Sequence, residues 1–148
     1  PCVSVSTLES MAYNFLSTDC IVCAVMDARC SQVYNALFEI KNGVVTRLCD
    51  DRALSLNDLK NELLSVDGRI IIAGDGTDIT CKYIGNEIKN AESAPVNLKY
   101  QRASSTALVA FKMINNGQTV SAQELMPVYL RLPQAQRELN KKLGGRTK

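Results

Sequence analysis

The segment from Cys20 to Ile40 constrains the fold more than any other part of the chain. Cys20 to Met26 is an unbroken apolar run, too short to span a membrane and typical of a buried strand. Gln32 to Ile40 then alternates, and one of its faces is almost wholly apolar: Tyr34, Ala36, Phe38 and Ile40. The short connection between the two segments predicts a hairpin. It places one acid, Asp27, and one base, Arg29, at the end of the sheet.

Length and composition fit one ordinary domain. The chain has 148 residues, of which 46% are apolar and 22% charged. A compact chain of that length buries roughly 68–70% of its unfolded surface, so it can form a sizeable core. The formal net charge is only +2, and basic residues cluster near the end of the chain: Arg137, Lys141, Lys142, Arg146 and Lys148. Such a tail is usually solvated, and contact with nucleic acid stays open as an alternative.

The chain contains no histidine, which removes the commonest general base, the commonest metal ligand and the triads that act through imidazole. Among its six cysteines, Cys20-x-x-Cys23 has zinc-like spacing, but in a strand the two thiols point to opposite faces. We therefore expect no metal site, and small buried thiols in a reducing compartment. Neither a signal peptide nor an apolar run of about 18 residues is present, so we predict a cytoplasmic protein and no membrane contact.

Two serine-based capping signals predict the first helices. Ser6-x-x-Glu9 is a capping box, in which the serine accepts a backbone N–H and the glutamate reaches back, and the helix is expected to end near Ser17. Ser55 opens a second helix that ends near Gly68. The inward residues expected for the second helix are Leu56, Leu59, Leu63 and Leu64.

A third helix is expected to begin at Ser104 or Ser105 and to stop at Asn115-Asn116-Gly117. Its predicted inward residues are Ala107, Leu108, Phe111 and Ile114. The region 78–100 is not assigned beyond a helix that continues through Ile84. In the tail, Tyr129 and Arg131 are two apart and are placed on one face of an extended segment.

Two further strands follow from turn and apolar signals. Asn42-Gly43 is a tight-turn signal that predicts a third strand over 44–49. The continuous apolar segment 69–73 has the pattern of a central strand covered on both faces. It runs into Gly74-Asp75-Gly76, and a strand that ends in glycines can bring backbone N–H groups close to a phosphate, while an acid there can hold a ribose or a magnesium ion. This sequence matches no established nucleotide motif, and a turn without a ligand stays the alternative.

Three segments now stand in a characteristic order: VSTLESMA at 5–12, MDARCSQVY at 26–34 and PVYLR at 127–131, with GDG at 74–76 between the last two. In this order and spacing they resemble the C-terminal domain of the bacterial TsaB (YeaZ) family, formerly labelled glycoprotease-like or M22 peptidase homologues. The resemblance spans essentially the whole chain. The chain departs from the family at Cys30-Ser31, where members often carry a glycine or small residue.

The resemblance implies an α/β fold: one actin-like ATPase (ASKHA, ribonuclease H-like) domain with a mixed sheet flanked by helices. It implies that residues 1–148 form the C-terminal domain of a two-domain protein whose N-terminal domain is absent from this chain. It also implies a non-catalytic scaffold in the complex that adds threonylcarbamoyl to the adenosine beside the tRNA anticodon. The implied partners are a TsaD-type catalytic subunit, a TsaE-type ATPase, tRNA through the complex and a second copy of the intact protein. By the same resemblance, ATP or ADP would act at the level of the complex, and we expect no bound nucleotide on this chain alone.

The positions that match the family motif, and that we expect to matter, are Asp27, Arg29, Tyr34, Tyr129 and Arg131. A structural explanation competes with each of them. In that explanation, Asp27 and Arg29 simply pair with each other or cap the hairpin. An exposed pair of this kind stabilises the fold by only about 0–1 kcal/mol. In the same explanation, Tyr34 and Tyr129 are core aromatics whose hydroxyls lie at the edge of the core.

Two other functions stay open as alternatives. A peptidase-like hydrolase needs an activated nucleophile or a metal, and without histidine it would have to use a lone cysteine or the carboxylate pair Asp50-Asp51, which we expect to be solvated. A nucleotide-binding module would use Gly74, Asp75 and Gly76, and we expect its ATP binding to be weak.

Overall fold

The computed structural model describes residues 1–131. Four consecutive strands follow the first helix, and helices and strands alternate only after them; a 3₁₀ turn over Tyr13–Phe15 comes directly after the first helix. In chain order the elements are α1 Thr7–Ala12, β1 Cys20–Asp27, β2 Gln32–Lys41, β3 Val44–Arg47, β4 Arg52–Ser55, α2 Leu56–Leu63, β5 Ile70–Ala73, α3 Thr77–Ile84, β6 Ala91–Ser93 and α4 Ala103–Asn115.

The strands form one mixed sheet in the order β3-β2-β1-β5-β6. β1 and β2 pair antiparallel along their whole length, from Cys20 opposite Ile40 to Asp27 opposite Val33. Two short strands pair antiparallel with β2: β3 pairs with the second half of β2, and β4 pairs with the first half of β2. β5 lies parallel to β1 on one side and to β6 on the other. The sheet is therefore antiparallel on the hairpin side and parallel on the β5 side.

Both faces of the sheet are covered, which gives three layers. One face packs against α1 and the 3₁₀ turn through Met11 and Phe15, and the opposite face packs against α2 through Leu59 and Leu63. Alternate residues of β1 and β2 point to opposite faces, as the strand period requires. Cys20 belongs to the first cluster and Cys23 to the second, which confirms that the two thiols of this pair point apart.

The mixed α/β architecture is confirmed, as are the hairpin, the tight turn at Asn42-Gly43 and the central strand. All four residues of β5 are buried. Two strands were not predicted. β4 is four residues long and half-buried, and β6 is three residues long, so neither has an apolar pattern of its own. Each forms a strand because it pairs with a neighbouring strand: β4 pairs with β2, and β6 pairs with β5.

The capping box at α1 is only half formed. The Glu9 N–H donates to Ser6 Oγ at 3.2 Å, as expected. The Glu9 carboxylate does not reach back, because it pairs with Arg47 at 2.8 Å. A guanidinium offers a charge-assisted bond, which is stronger than a bond to a neutral backbone N–H. The helix also ends early, at Ala12, where the 3₁₀ turn takes over.

Two predictions of inward faces are wrong. On α2, Leu56, Leu59 and Leu63 are buried, but Leu64 lies at the C-cap and is exposed, because the helix ends at Leu63 rather than near Gly68. On α4 the predicted inward residues Ala107, Leu108, Phe111 and Ile114 are all exposed. The buried residues of that helix are Ser105 and Val109, and its N-cap is Arg102 rather than a serine. Small side chains face the core because α4 packs closely on α1 and the 3₁₀ turn, with a bond of 2.6 Å between the hydroxyl of Ser105 and Asn14 Oδ1.

Candidate functional site

The parallel pairing of β1 and β5 brings two acids to the same edge of the sheet. Asp27 ends β1, and Asp75 follows β5 by two residues. The Asp27 N–H donates to Asp75 Oδ1 at 3.2 Å. The carboxyl ends of parallel strands are where open α/β sheets bind their ligands. The structure therefore joins the hairpin and the glycine turn, which the sequence separates by almost fifty residues.

The glycine turn is built for close approach to β1. A Cβ on Gly74, whose φ is +117°, would lie 1.9 Å from the carbonyl oxygen of Val25, so only glycine fits there. The N–H groups of the turn already have acceptors: Gly74 donates to Lys99 O at 2.7 Å and Gly76 donates to Val25 O at 3.2 Å. These two N–H groups are therefore engaged within the chain. A cofactor-binding role for Gly74, Asp75 and Gly76 stays a prediction.

The hairpin turn has an unusual backbone. Arg29, Cys30 and Ser31 have φ of 65°, 53° and 56°, so three consecutive residues with side chains are left-handed. Asp27 stabilises this turn, because its Oδ1 accepts the Arg29 N–H at 2.7 Å. Its Oδ2 lies 3.7 Å from the Arg29 guanidinium, whose side chain is 86% exposed. Asp27 thus acts as a turn cap, while the Arg29 side chain extends into solvent.

The remaining motif residues lie around a pocket of about 510 Å³ beside the hairpin. Its walls are the segment that leads into α1, the segment 126–131 and side chains of β1 and β2, including Tyr34. Arg131 donates to the carbonyl oxygen of Ala28 and so ties the last segment to the hairpin. Tyr129 also lines the pocket but is 84% exposed, so it is not a core aromatic. Tyr34 is half-buried and packs against the first core cluster.

One wall of this pocket is polar and was not expected from the sequence. Asp51 accepts the Ser6 hydroxyl at 2.5 Å and pairs with Arg47 at 2.6 Å, so it is not the solvated loop acid that was predicted. Arg47 also binds Glu9 and lies over the Phe38 ring, 4.7 Å from its centroid. Burial opposes ionisation of Arg47, but the bonds to the two acids outweigh it and raise the pKa of its guanidinium. No local pattern signals this network, because it joins Ser6 and Glu9 to Arg47 and Asp51, which follow them by 38 to 45 residues.

Burial makes several of the thiols unreactive. Burial raises the pKa of the thiols of Cys20, Cys23 and Cys81, so these sulfurs stay protonated and are poor nucleophiles. Among residues 1–131 no three side chains of the types that bind metals are grouped to hold an ion. In the same part of the chain no helix has the length and apolar character needed to cross a bilayer.

The comparisons with known proteins agree with the motifs. No family model matches the chain. The "tRNA threonylcarbamoyladenosine biosynthesis protein TsaB" of Bacillus subtilis is 26% identical over 136 residues, which are 92% of this chain and 58% of that protein. The chain therefore spans less than two thirds of the length of this relative.

Two solved structures share the fold. YeaZ from Pseudomonas aeruginosa superposes with a TM-score of 0.64 at 19% identity, over 85% of this chain and 57% of that one. The second is a crystal structure described as an uncharacterized protein with similarity to peptidase YeaZ, from Pseudomonas aeruginosa. It superposes with a TM-score of 0.63 at 20% identity, over 86% of this chain and 57% of that one. In sequence over most of the chain, in fold and in the order of its motifs, this chain is therefore similar to the TsaB/YeaZ proteins.

Proposed function

We propose that this chain takes part in threonylcarbamoyladenosine synthesis on tRNA as a non-catalytic accessory subunit. The observation that carries the proposal is the match to a TsaB protein over 92% of the chain. In this role the chain supports a TsaD-type catalytic subunit, and it works with a TsaE-type ATPase in the cytoplasm, where ATP or ADP acts in the complex. Contact with tRNA goes through the complex, and the intact protein is expected to form a homodimer.

The residues support an accessory role. The chain has no histidine to act as base or metal ligand, and its most buried thiol, Cys23, is fully enclosed and protonated. The motif residues instead present a surface. Arg29 extends from the hairpin turn, and Tyr129 stands out from the pocket wall. An exposed arginine and an exposed tyrosine are the residue types that anchor protein interfaces.

The first experiment is co-elution on a sizing column with a TsaD-type subunit from the source of this chain. Full-length TsaB of Bacillus subtilis with its own TsaD-type subunit is the positive control. We expect the chain to shift the elution of the catalytic subunit and to raise threonylcarbamoyladenosine in tRNA, measured by mass spectrometry. The reversal Arg29→Glu should weaken the complex by about tenfold, because a charge contact at the hairpin becomes repulsive.

Lys89→Glu is the matched control, since it reverses an exposed charge away from the hairpin. It should leave co-elution unchanged. Two results would reject the proposal: failure of the chain to co-elute or raise the modification, or turnover by this chain alone. Casein cleavage that a point substitution abolishes would revive the hydrolase alternative, and tight ATP binding that is lost in Asp75→Ala would revive the nucleotide module.

A further inference from the structure

The pocket beside the hairpin has the size and the walls of a small-molecule site. Its volume of about 510 Å³ lies within the range of about 300–1,000 Å³ that is usual for such sites. Most of the side chains around it are apolar, and they come from α1 and the segment before it, from β1 and from the segment 126–131: Val5, Leu8, Met26, Val128 and Leu130. Within residues 1–131 only two of the lining residues carry a charge, Asp51 and Arg131. The state of these two groups therefore decides which ligand charge the pocket favours.

The carboxylate of Asp51 already has donors on both of its oxygens. Its Oδ2 accepts the Ser6 hydroxyl at 2.5 Å, and its Oδ1 lies 2.6 Å from the guanidinium of Arg47. These bonds hold Asp51 on the α1 side of the pocket. A carboxylate whose two oxygens are bonded within the chain gains little from a ligand cation, because a new bond would replace an existing one. The acid therefore leaves the choice of ligand to Arg131.

The guanidinium of Arg131 is only partly satisfied. Its Nη1 donates to the carbonyl oxygen of Ala28, directly after β1. Its Nε is enclosed by protein atoms but has no hydrogen-bond partner within residues 1–131. In the same part of the chain Arg131 forms no ion pair. A buried charged donor without an acceptor is costly, so an acceptor that a ligand brings to this group is stabilising.

From this arrangement we infer that the pocket binds a small monocarboxylate with an apolar body. The edge of a guanidinium formed by Nε and Nη2 matches the two oxygens of a carboxylate, and here it is separate from the Nη1 bond to Ala28. One guanidinium balances one negative charge. The apolar body lies beside this end of the pocket, over the cross-strand pair Met26 and Tyr34, which both line it. The inference goes beyond the proposed function, which concerns protein partners, and it is tested on this chain alone.

The test uses a panel of small carboxylic acids with aromatic or branched aliphatic bodies, each paired with its primary amide. Heteronuclear NMR titration of the isotopically labelled chain measures each dissociation constant and locates the residues whose signals move. We expect the best acids to bind with dissociation constants of about 1 mM or tighter, and at least about tenfold tighter than their amides, which lack the charge. Acetate has the carboxylate without the body and should bind at least about tenfold more weakly than the best acids. The moving signals should come from the segments 4–8 and 126–131 and from Met26 and Tyr34.

Variants of the arginine separate recognition of the carboxylate from the shape of the pocket. Arg131→Met should lower the affinity for each acid to that for its amide, while amide binding stays unchanged. Arg131→Lys keeps the charge but loses the paired N–H edge, so it should retain a smaller preference for the acids. Arg102→Met is the matched control, since Arg102 is exposed and lies outside the pocket, and it should leave binding unchanged.

Four results would overturn the inference: no acid that binds more tightly than about 10 mM, equal affinity for acids and amides, moving signals outside the pocket, or a preference for acids that survives Arg131→Met. If Arg131→Met abolishes binding of acids and amides alike, Arg131→Lys decides, and equal affinity of that variant for the two would overturn it. Tighter acid binding by Glu138→Gln would also overturn it, because a carboxylate of the chain itself would then be the partner of Arg131.

Discussion

At the scale of single residues, Gly74 makes a backbone contact that no other residue type permits. Its φ is +117°, and a Cβ would lie 1.9 Å from the Val25 carbonyl oxygen, which belongs to a central strand. Gly74→Ala should therefore destabilise the fold by about 3 kcal/mol or more. Gly68→Ala is the control: Gly68 also has a positive φ of +87°, but nothing lies within 4 Å of its Cβ position, so the loss should be about 1 kcal/mol. Urea unfolding measures both, and equal losses would contradict the role of the contact.

Asn35 is a fully buried polar residue of β2, and both its amide nitrogen and its Oδ1 have hydrogen-bond partners. Its amide donates to the Ala24 carbonyl oxygen at 3.0 Å, and its Oδ1 accepts from Arg52 at 3.0 Å. Arg52 in turn pairs with Glu62 at 2.7 Å. Asn35→Ala removes the donor to the Ala24 carbonyl oxygen in a buried strand and one acceptor of the half-buried Arg52, and it should lower the free energy of unfolding by about 2–3 kcal/mol. Asn61→Ala, at an exposed position of α2, should change it by less than about 0.5 kcal/mol in the same urea titration.

At the scale of elements, the two serine caps differ in what else they bind. Ser55 accepts the Asp58 N–H at 3.1 Å and acts within its own helix. Ser6 caps α1 and also donates to Asp51 at 2.5 Å, which joins the helix to the loop before β4. Loss of a cap costs about 1 kcal/mol, and a hydrogen bond to a charged group adds about 1 kcal/mol or more.

We therefore expect Ser55→Ala to destabilise by about 1 kcal/mol and Ser6→Ala by about 2 kcal/mol in thermal or urea unfolding. In the background of Asp51→Asn the two substitutions should become more nearly equal, because the charge that strengthens the second bond of Ser6 is gone. A Ser6→Ala loss no larger than that of Ser55→Ala would show that the bond to Asp51 contributes nothing to stability.

At the scale of the whole molecule, buried thiols link stability to pH. Burial raises the pKa of Cys23, so the folded state keeps this thiol protonated where the unfolded chain, with a thiol pKa of about 8.5, ionises it. The resulting stability is complete below about pH 8.5 and is lost as the pH rises above it toward the folded pKa. Between pH 8.5 and 9.5 the loss should be about 1 kcal/mol per buried thiol.

Urea unfolding across this range measures the effect. The range stays below the titration of Lys99, whose pKa is raised by its hydrogen bond to Asp78. Cys23→Ala should reduce the slope of the free energy of unfolding against pH in this range, whatever its effect on the free energy of unfolding at pH 7. Cys30→Ser removes an exposed thiol and should leave the slope unchanged. An unaltered slope in Cys23→Ala would contradict the link.

Much of the fold followed from local signals in the sequence. The apolar runs of β1 and β5, the alternation in β2, the Asn42-Gly43 turn and the serine caps each act over a few residues, so the sequence alone determined them. The motif segments also indicated the similarity to TsaB/YeaZ proteins before any contact was known. The turn at Asp27 to Ser31 was likewise placed correctly, because a strand pair joined by a short connection can form little else.

What only the tertiary structure decided depends on partners far away in the chain. Periodicity marks α4 as a helix but does not say which of two apolar sides packs inward, and that was decided by the close fit of Ser105 against Asn14. β4 is a strand because β2 offers it an edge, and the polar wall around Asp51 exists because Arg47 and Ser6 reach it from other elements. The physical reason is range: backbone propensities and caps act between neighbours, whereas packing and charge pairs act between segments that only the folded chain brings together.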